Sequence, residues 1–145
     1  MSKSPKRILI CLLLSTTVGG LAGCGGAQSD RETVAAWIDA RQADLPLTLD
    51  RVSLTELRHY ENQVIATLTP GEAESIDALP DTQAFDLVSS AVCGLQDVDV
   101  VWNAEHVLYT SIESRTIQTK RFDCCVIASM ATMSREEAQN SCPYP

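Results

Sequence analysis

Apolar positions recur along this chain with two periods, and the switches between them lay out its elements. Val34, Trp37, Ile38 and Arg41 fall at i, i+3, i+4 and i+7, so Trp37 anchors one apolar helix face. Asp30 is placed to cap that helix, and Pro46 ends it. Leu47 to Leu57 is rich in Leu, Val and Thr, with Leu47 and Leu49 alternating and Val52 and Leu54 doing the same. Gln63 to Thr69 sets Val64, Ala66 and Leu68 on one face against Ile65 and Thr67, after a turn at Asn62. The two segments are predicted as an antiparallel strand pair, with a helix over Leu54 to His59 as the competing reading. Pro70 and Gly71 break the pattern.

Asp81 is placed to cap a second helix, in which Ala84, Phe85, Val88 and Val92 share a face. Cys93 lies in its last turn and Gly94 can terminate it. Val98 to Trp102 fits either a short strand or a helical turn. His106 to Ile112 alternates, and Glu113 to Arg115 turns it into a long predicted strand, Thr116 to Val126, that ends on Cys124 and Cys125. Ser134 and Glu137 form a capping box for a short last helix, stopped by Pro143. The pattern predicts an α+β fold: a largely antiparallel sheet covered by helices and stabilised by disulfides.

The first residues follow another logic. Lys3, Lys6 and Arg7 precede a short apolar core from Ile8 to Val18, the shape of an export signal and too short for a confident membrane span. Leu21-Ala22-Gly23-Cys24 then resembles the bacterial lipobox, in which the leader is cut before the cysteine and the cysteine carries lipid. An ordinary secretory signal with an incidental cysteine is the competing reading. The lipobox reading divides the chain into a signal peptide (1–23), a lipidated tether (24–29) and a single periplasmic domain (30–145). No acidic residue stands next to Cys24, which favours the outer membrane.

All 19 acidic residues lie after Cys24, whereas Lys3, Lys6 and Arg7 leave with the leader. The mature domain is therefore more acidic than the whole chain's net charge of -8. Such a surface argues against nucleic acid and against electrostatic attachment to acidic lipid. Lipid on Cys24 would supply the membrane contact.

Export also changes how the remaining cysteines read. Cys11 goes with the leader, leaving Cys93, Cys124, Cys125 and Cys142 in an oxidising compartment, where an even count implies two disulfides. On a strand, Cys124 and Cys125 would face opposite sides, so one would reach Cys93 and the other Cys142. Either assignment satisfies the pattern. A staple from Cys93 would join the second helix to the strand.

No nucleotide, phosphate or zinc motif is present. His59 and His106 are far apart in sequence and lack metal-site spacing. Cys124 or Cys125 with His106 would make a nucleophile and base only if a thiol were free. Asp97 and Asp99 would share a face of a strand as an acid–base pair, but a solvated surface explains them as well. Trp37, Trp102 and Tyr109 could line a ligand site or fill a core. The expectation is no catalytic, cofactor or metal residue, hence a non-enzymatic binding domain. An exposed sheet edge, or a groove between sheet and helix, would take a peptide segment. The overall acidity favours a basic one.

The early strand pair, the helix ending at Cys93, the hairpin from His106 to Asp123 and the cysteine at its end together resemble the disulfide-containing α/β pilotin lipoproteins of type II secretion. That resemblance is to the Vibrio-type class rather than the all-helical one. It implies a partner, the C-terminal segment of an outer-membrane secretin, whose targeting and assembly the lipoprotein aids. It implies Cys24 as the acylation site and a disulfide from Cys93 to Cys124 or Cys125. The alternatives are an envelope lipoprotein of structural or immunity-like role, or a lysozyme or protease inhibitor with a reactive loop at Met130 to Met133.

Overall fold

A three-stranded meander, a separate hairpin and the helical connection between them generate the sheet. The computed structural model describes residues 25–72 and 75–144, so the signal peptide and Cys24 lie outside the described residues. Its strands are β1 (Leu47–Leu49), β2 (Val52–Tyr60), β3 (Gln63–Pro70), β4 (Val107–Ile112) and β5 (Arg115–Thr119). They form one sheet in the order β1-β2-β3-β4-β5. Every pair is antiparallel except β3 with β4, which is parallel. Leu54 to His59 is strand, so the pairing of β2 with β3 holds and the helical reading does not. Leu47 to Leu57 is not one segment: it turns at Asp50 and Arg51, and β1 pairs back on β2. The pairs Tyr60–Gln63 and Ile112–Arg115 close two-residue turns, with Glu61 and Glu113 at φ of 53° and 49°.

The parallel step needs a crossover, because a tight turn cannot bring the chain back in the same direction. The return path contains a 3-10 turn (Ile76–Ala78), helix α2 (Asp81–Cys93) and helix α3 (Asp99–Asn103). Val98 to Trp102 thus belongs to a helical turn, not a strand. Asp81 is the first residue of α2 and makes no capping bond; its carboxylate accepts from Arg115 at 2.9 Å. Arg115 also donates to the Leu79 carbonyl at 2.8 Å, tying the start of β5 to the start of α2.

Helix α1 (Gly25–Gln42) begins before Asp30. Residues 25–29, expected as part of the tether, are helical, and Asp30 lies inside the helix instead of capping it. The side chains that follow explain where α1 sits: Val34, Trp37 and Ile38 are buried. They meet Val52, Leu54, Leu57, Val64, Ala66 and Leu68 from the sheet in one core, which also takes Ala84, Val88 and Val92 of α2 and Val101 of α3. A β-bulge between Leu54 and Glu56 shifts the alternation, so both Leu54 and Leu57 point into that core. Along β4, Leu108, Thr110 and Ile112 are buried and Val107, Tyr109 and Ser111 are half-buried on the other face. Helices thus cover one face of the sheet. Among the described residues no helix is long and apolar enough to cross a membrane.

The expected long strand from Thr116 to Val126 stops at Thr119. Arg121–Ser129 is helix α4 and Arg135–Ser141 is helix α5. Asp123 explains the break: its carboxylate accepts the Lys120 backbone N–H at 2.7 Å and satisfies a donor that a strand would have sent sideways. Beyond that point Phe122, Cys125, Val126 and Ser129 follow helical spacing. The predicted capping box of the last helix forms, with the Glu137 carboxylate accepting the Ser134 N–H at 2.9 Å.

Both disulfides form. Cys93 pairs with Cys124 and Cys125 with Cys142. Because Cys124 lies on α4, the first bond staples helix to helix, not helix to strand. Cys125 and Cys142 close a small second core with Val126 and Ala138 that holds α5 against α4.

Candidate functional site

The end of β5 carries an apolar opening. Trp102 of α3, Val107 of β4, Gln118 and Thr119 of β5, Phe122 and Cys125 of α4, and Pro143 and Tyr144 of the tail surround a groove of about 570 Å³. Each wall has a structural cause. The Trp102 indole N–H donates to the Thr119 carbonyl at 3.3 Å, which fixes the ring beside the strand end. A buried contact between the Ser89 and Thr119 hydroxyls at 3.0 Å holds the same residue to α2 from the other side. Phe122 packs obliquely on Tyr144 with ring centroids 4.9 Å apart. The Cys125–Cys142 bond keeps the tail close enough for that contact. Tyr144 is nevertheless 81% exposed, a large apolar surface presented to solvent.

The rim is basic within an acidic chain. Lys120 and Arg121 border the groove, and Arg121 leans on Asp99 at 3.2 Å. Two cations, one of them already paired with a carboxylate, thus stand at the mouth of the groove. A second cleft, about 640 Å³, lies between the β1–β2 turn and α2. Asp50, Arg51, Gln83 and Asp86 make it more polar, and Asp86 is paired with Arg135 of α5. Long aromatic walls favour the first opening as a binding site.

The other sequence candidates fall as follows. Cys124 and Cys125 are both in disulfides, so neither presents a thiol to His106. Asp97 and Asp99 do not form an acid–base pair on a strand: Asp97 faces Arg41 at 3.7 Å, and Asp99 faces Arg121. Trp37 is a core residue, its N–H donating to the Gln96 carbonyl at 3.0 Å, whereas Trp102 lines the groove. Tyr109 lies half-buried on the uncovered sheet face. Met130 and Met133 lie after α4, partly exposed. Cys24 lies outside the described residues.

The sheet also brings together two residues that sequence spacing had separated. The Nε2 atoms of His59 and His106 are 2.9 Å apart. Burial holds the His59 imidazole below the usual histidine range, and the neighbouring His106 adds to the effect. A hydrogen bond to the Glu61 backbone acts in the opposite direction. Among the described residues, no group of three or more His, Cys, Asp or Glu side chains could hold a metal ion.

No protein-family model matches the chain, and no curated protein matches it in sequence. A solved structure does match in fold, at 12% sequence identity and a TM-score of 0.50, over 69% of this chain and 100% of the other. The chain is similar there to the type II secretion system pilotin AspS from Vibrio cholerae, and the likeness is one of fold.

Proposed function

We propose that this protein is a non-enzymatic, lipid-anchored binding protein of the bacterial outer membrane that acts as a pilotin. In this reading it holds the C-terminal segment of a secretin and aids its targeting and assembly. The fold shared with the whole of a solved pilotin carries the reading. In this reading the segment lies in the groove, where Trp102, Val107, Phe122 and Tyr144 offer apolar anchoring and Lys120 and Arg121 favour carboxylates beside its apolar residues. Lipid on Cys24 would set the domain against the membrane.

The test is binding of the C-terminal segment of the secretin from the same genome, measured by calorimetry. Phe122→Asp is expected to weaken binding at least tenfold with an unchanged circular dichroism spectrum, because it puts a charge on a half-buried apolar wall. No binding by the unaltered chain, or equal binding by the variant, would count against the proposal. Cys24→Ser is expected to move the protein from the membrane to the soluble fraction. Continued incorporation of a radiolabelled fatty acid by that variant would overturn the lipid anchor.

A further inference from the structure

The strand order leaves β1 and β5 at the edges of the sheet. β1 is only 3 residues long, whereas β5 has 5. The pair Ile112–Arg115 closes a two-residue turn and is hydrogen-bonded, so the bonded pairs of this antiparallel ladder recur at Ile117 and Thr119. The N–H and C=O groups of Thr116 and Gln118 therefore point outward, and nothing among the described residues bonds to them. Free edges are commonly blunted by Pro, a bulge or a charge. Thr116-Ile117-Gln118-Thr119 contains no Pro and no charge, and the ladder with β4 has no bulge.

A recess of about 480 Å³ lies beside this edge, lined by Phe85 of α2 and by Ile117. Phe85 shares the apolar face expected of α2, yet it is half-buried and belongs to neither core. Ile117 stands opposite the buried Thr110 of β4, on the face that the helices cover. Arg115, at the start of the strand, is neutralised by Asp77 at 3.5 Å and Asp81 at 2.9 Å, so no bare cation guards the edge.

We propose that β5 is the contact surface for a second copy of this chain, joined edge to edge and antiparallel about a twofold axis at Ile117. In that register Thr116 of each copy meets the partner's Gln118, and their outward groups exchange N–H···O bonds in both directions. Residues directly opposite point to the same face, so Ile117 meets the partner's Ile117 on the helix-covered side. Each isoleucine then enters the recess that Phe85 walls on the other copy. The same apolar residue thus serves as insert and as lining, which fits a second copy better than an unrelated strand. The charges agree. Lys120 follows β5 at one end, and Asp77, Asp81 and Glu113 gather at the other. Antiparallel pairing brings the Lys120 of each copy to the acidic end of its partner. This contact requires neither lipid nor a secretin.

The test is sedimentation equilibrium of the full chain over a concentration series in density-matched detergent, with micelles in excess. Reversible dimers are expected, and Thr116→Pro should weaken association at least tenfold. Proline there removes an outward N–H and no bond of the ladder, a change that edge positions tolerate. Phe85→Glu should weaken association as much while leaving the strand backbone intact, which keeps the test decisive if the proline variant misfolds. Hydrogen exchange is expected to show the Thr116 and Gln118 amides protected where the dimer is populated and open on dilution. A monomer at every concentration, or a dimer that neither variant weakens, would overturn the proposal. So would protection of those amides only on addition of a segment from another protein, because the edge would then belong to that segment.

Discussion

Replacing Cys93 and Cys124 together by alanine is expected to lower the unfolding free energy by about 3.7 kcal/mol, the chain-entropy value for a bond that closes 31 residues. The loop it closes contains α3, β4 and β5, so the bond removes freedom from the part of the unfolded chain that must find the parallel pairing with β3. Domains of this size have about 5–15 kcal/mol in total. A loss of this size would leave a folded but marginal protein. Both cysteines must be changed at once, because a lone thiol would attack the neighbouring Cys125–Cys142 bond. Urea unfolding followed by circular dichroism measures the effect. A loss below about 1 kcal/mol would show that strain or residual unfolded-state structure cancels the entropic gain.

That bond also marks where sequence reasoning stopped. The pairing of Cys93 with one member of the Cys124–Cys125 pair was legible, because an even count implies two disulfides and adjacent cysteines read as facing apart need separate partners. Its geometry was not. Phe122 continues the alternation of β5, so a strand through Val126 looked consistent, while the competing helical spacing of Phe122, Cys125 and Val126 begins only past Lys120. The Asp123 carboxylate on the Lys120 N–H starts the helix there. Local bonds of this kind outweigh a weak period at an element boundary.

Non-local features were the least legible. The β2–β3 and β4–β5 hairpins could be read, since alternation on either side of a turn fixes them within a short stretch, whereas the β1–β2 hairpin inside Leu47 to Leu57 could not. The parallel contact of β3 with β4 depends on how α2 and α3 pack back onto the sheet, which no local pattern encodes. The His59–His106 pair follows from that contact and was therefore set aside. The groove was anticipated as a kind of site but not as a set of residues. Trp102, Phe122 and Tyr144 come from three separate elements, and only the fold brings them to one wall.

Removing the second disulfide should separate the stability of the sheet from that of the groove. Cys125→Ala with Cys142→Ala opens a 17-residue loop, a loss of about 3.1 kcal/mol by the same entropy relation. The two loops follow one another along the chain without overlap, so this loss falls on α4, α5 and the tail. Helix α5 has 7 residues, too few to persist alone, and its own core is limited to Val126, Ala138 and the disulfide with a few half-buried neighbours. The ion pair of Arg135 with Asp86 is partly exposed and cannot replace the bond. Amides from 135 to 142 are therefore expected to exchange roughly a hundredfold faster, while those of β2, β3 and β4 keep their protection. With the tail released, Tyr144 leaves Phe122 and one wall of the groove is lost, so binding to an apolar segment should weaken in parallel. Hydrogen exchange by mass spectrometry reads the first effect and calorimetry the second. Uniform loss of protection across the sheet would show instead that the two cores unfold as one, and that the groove is no more separable than the strands beneath it.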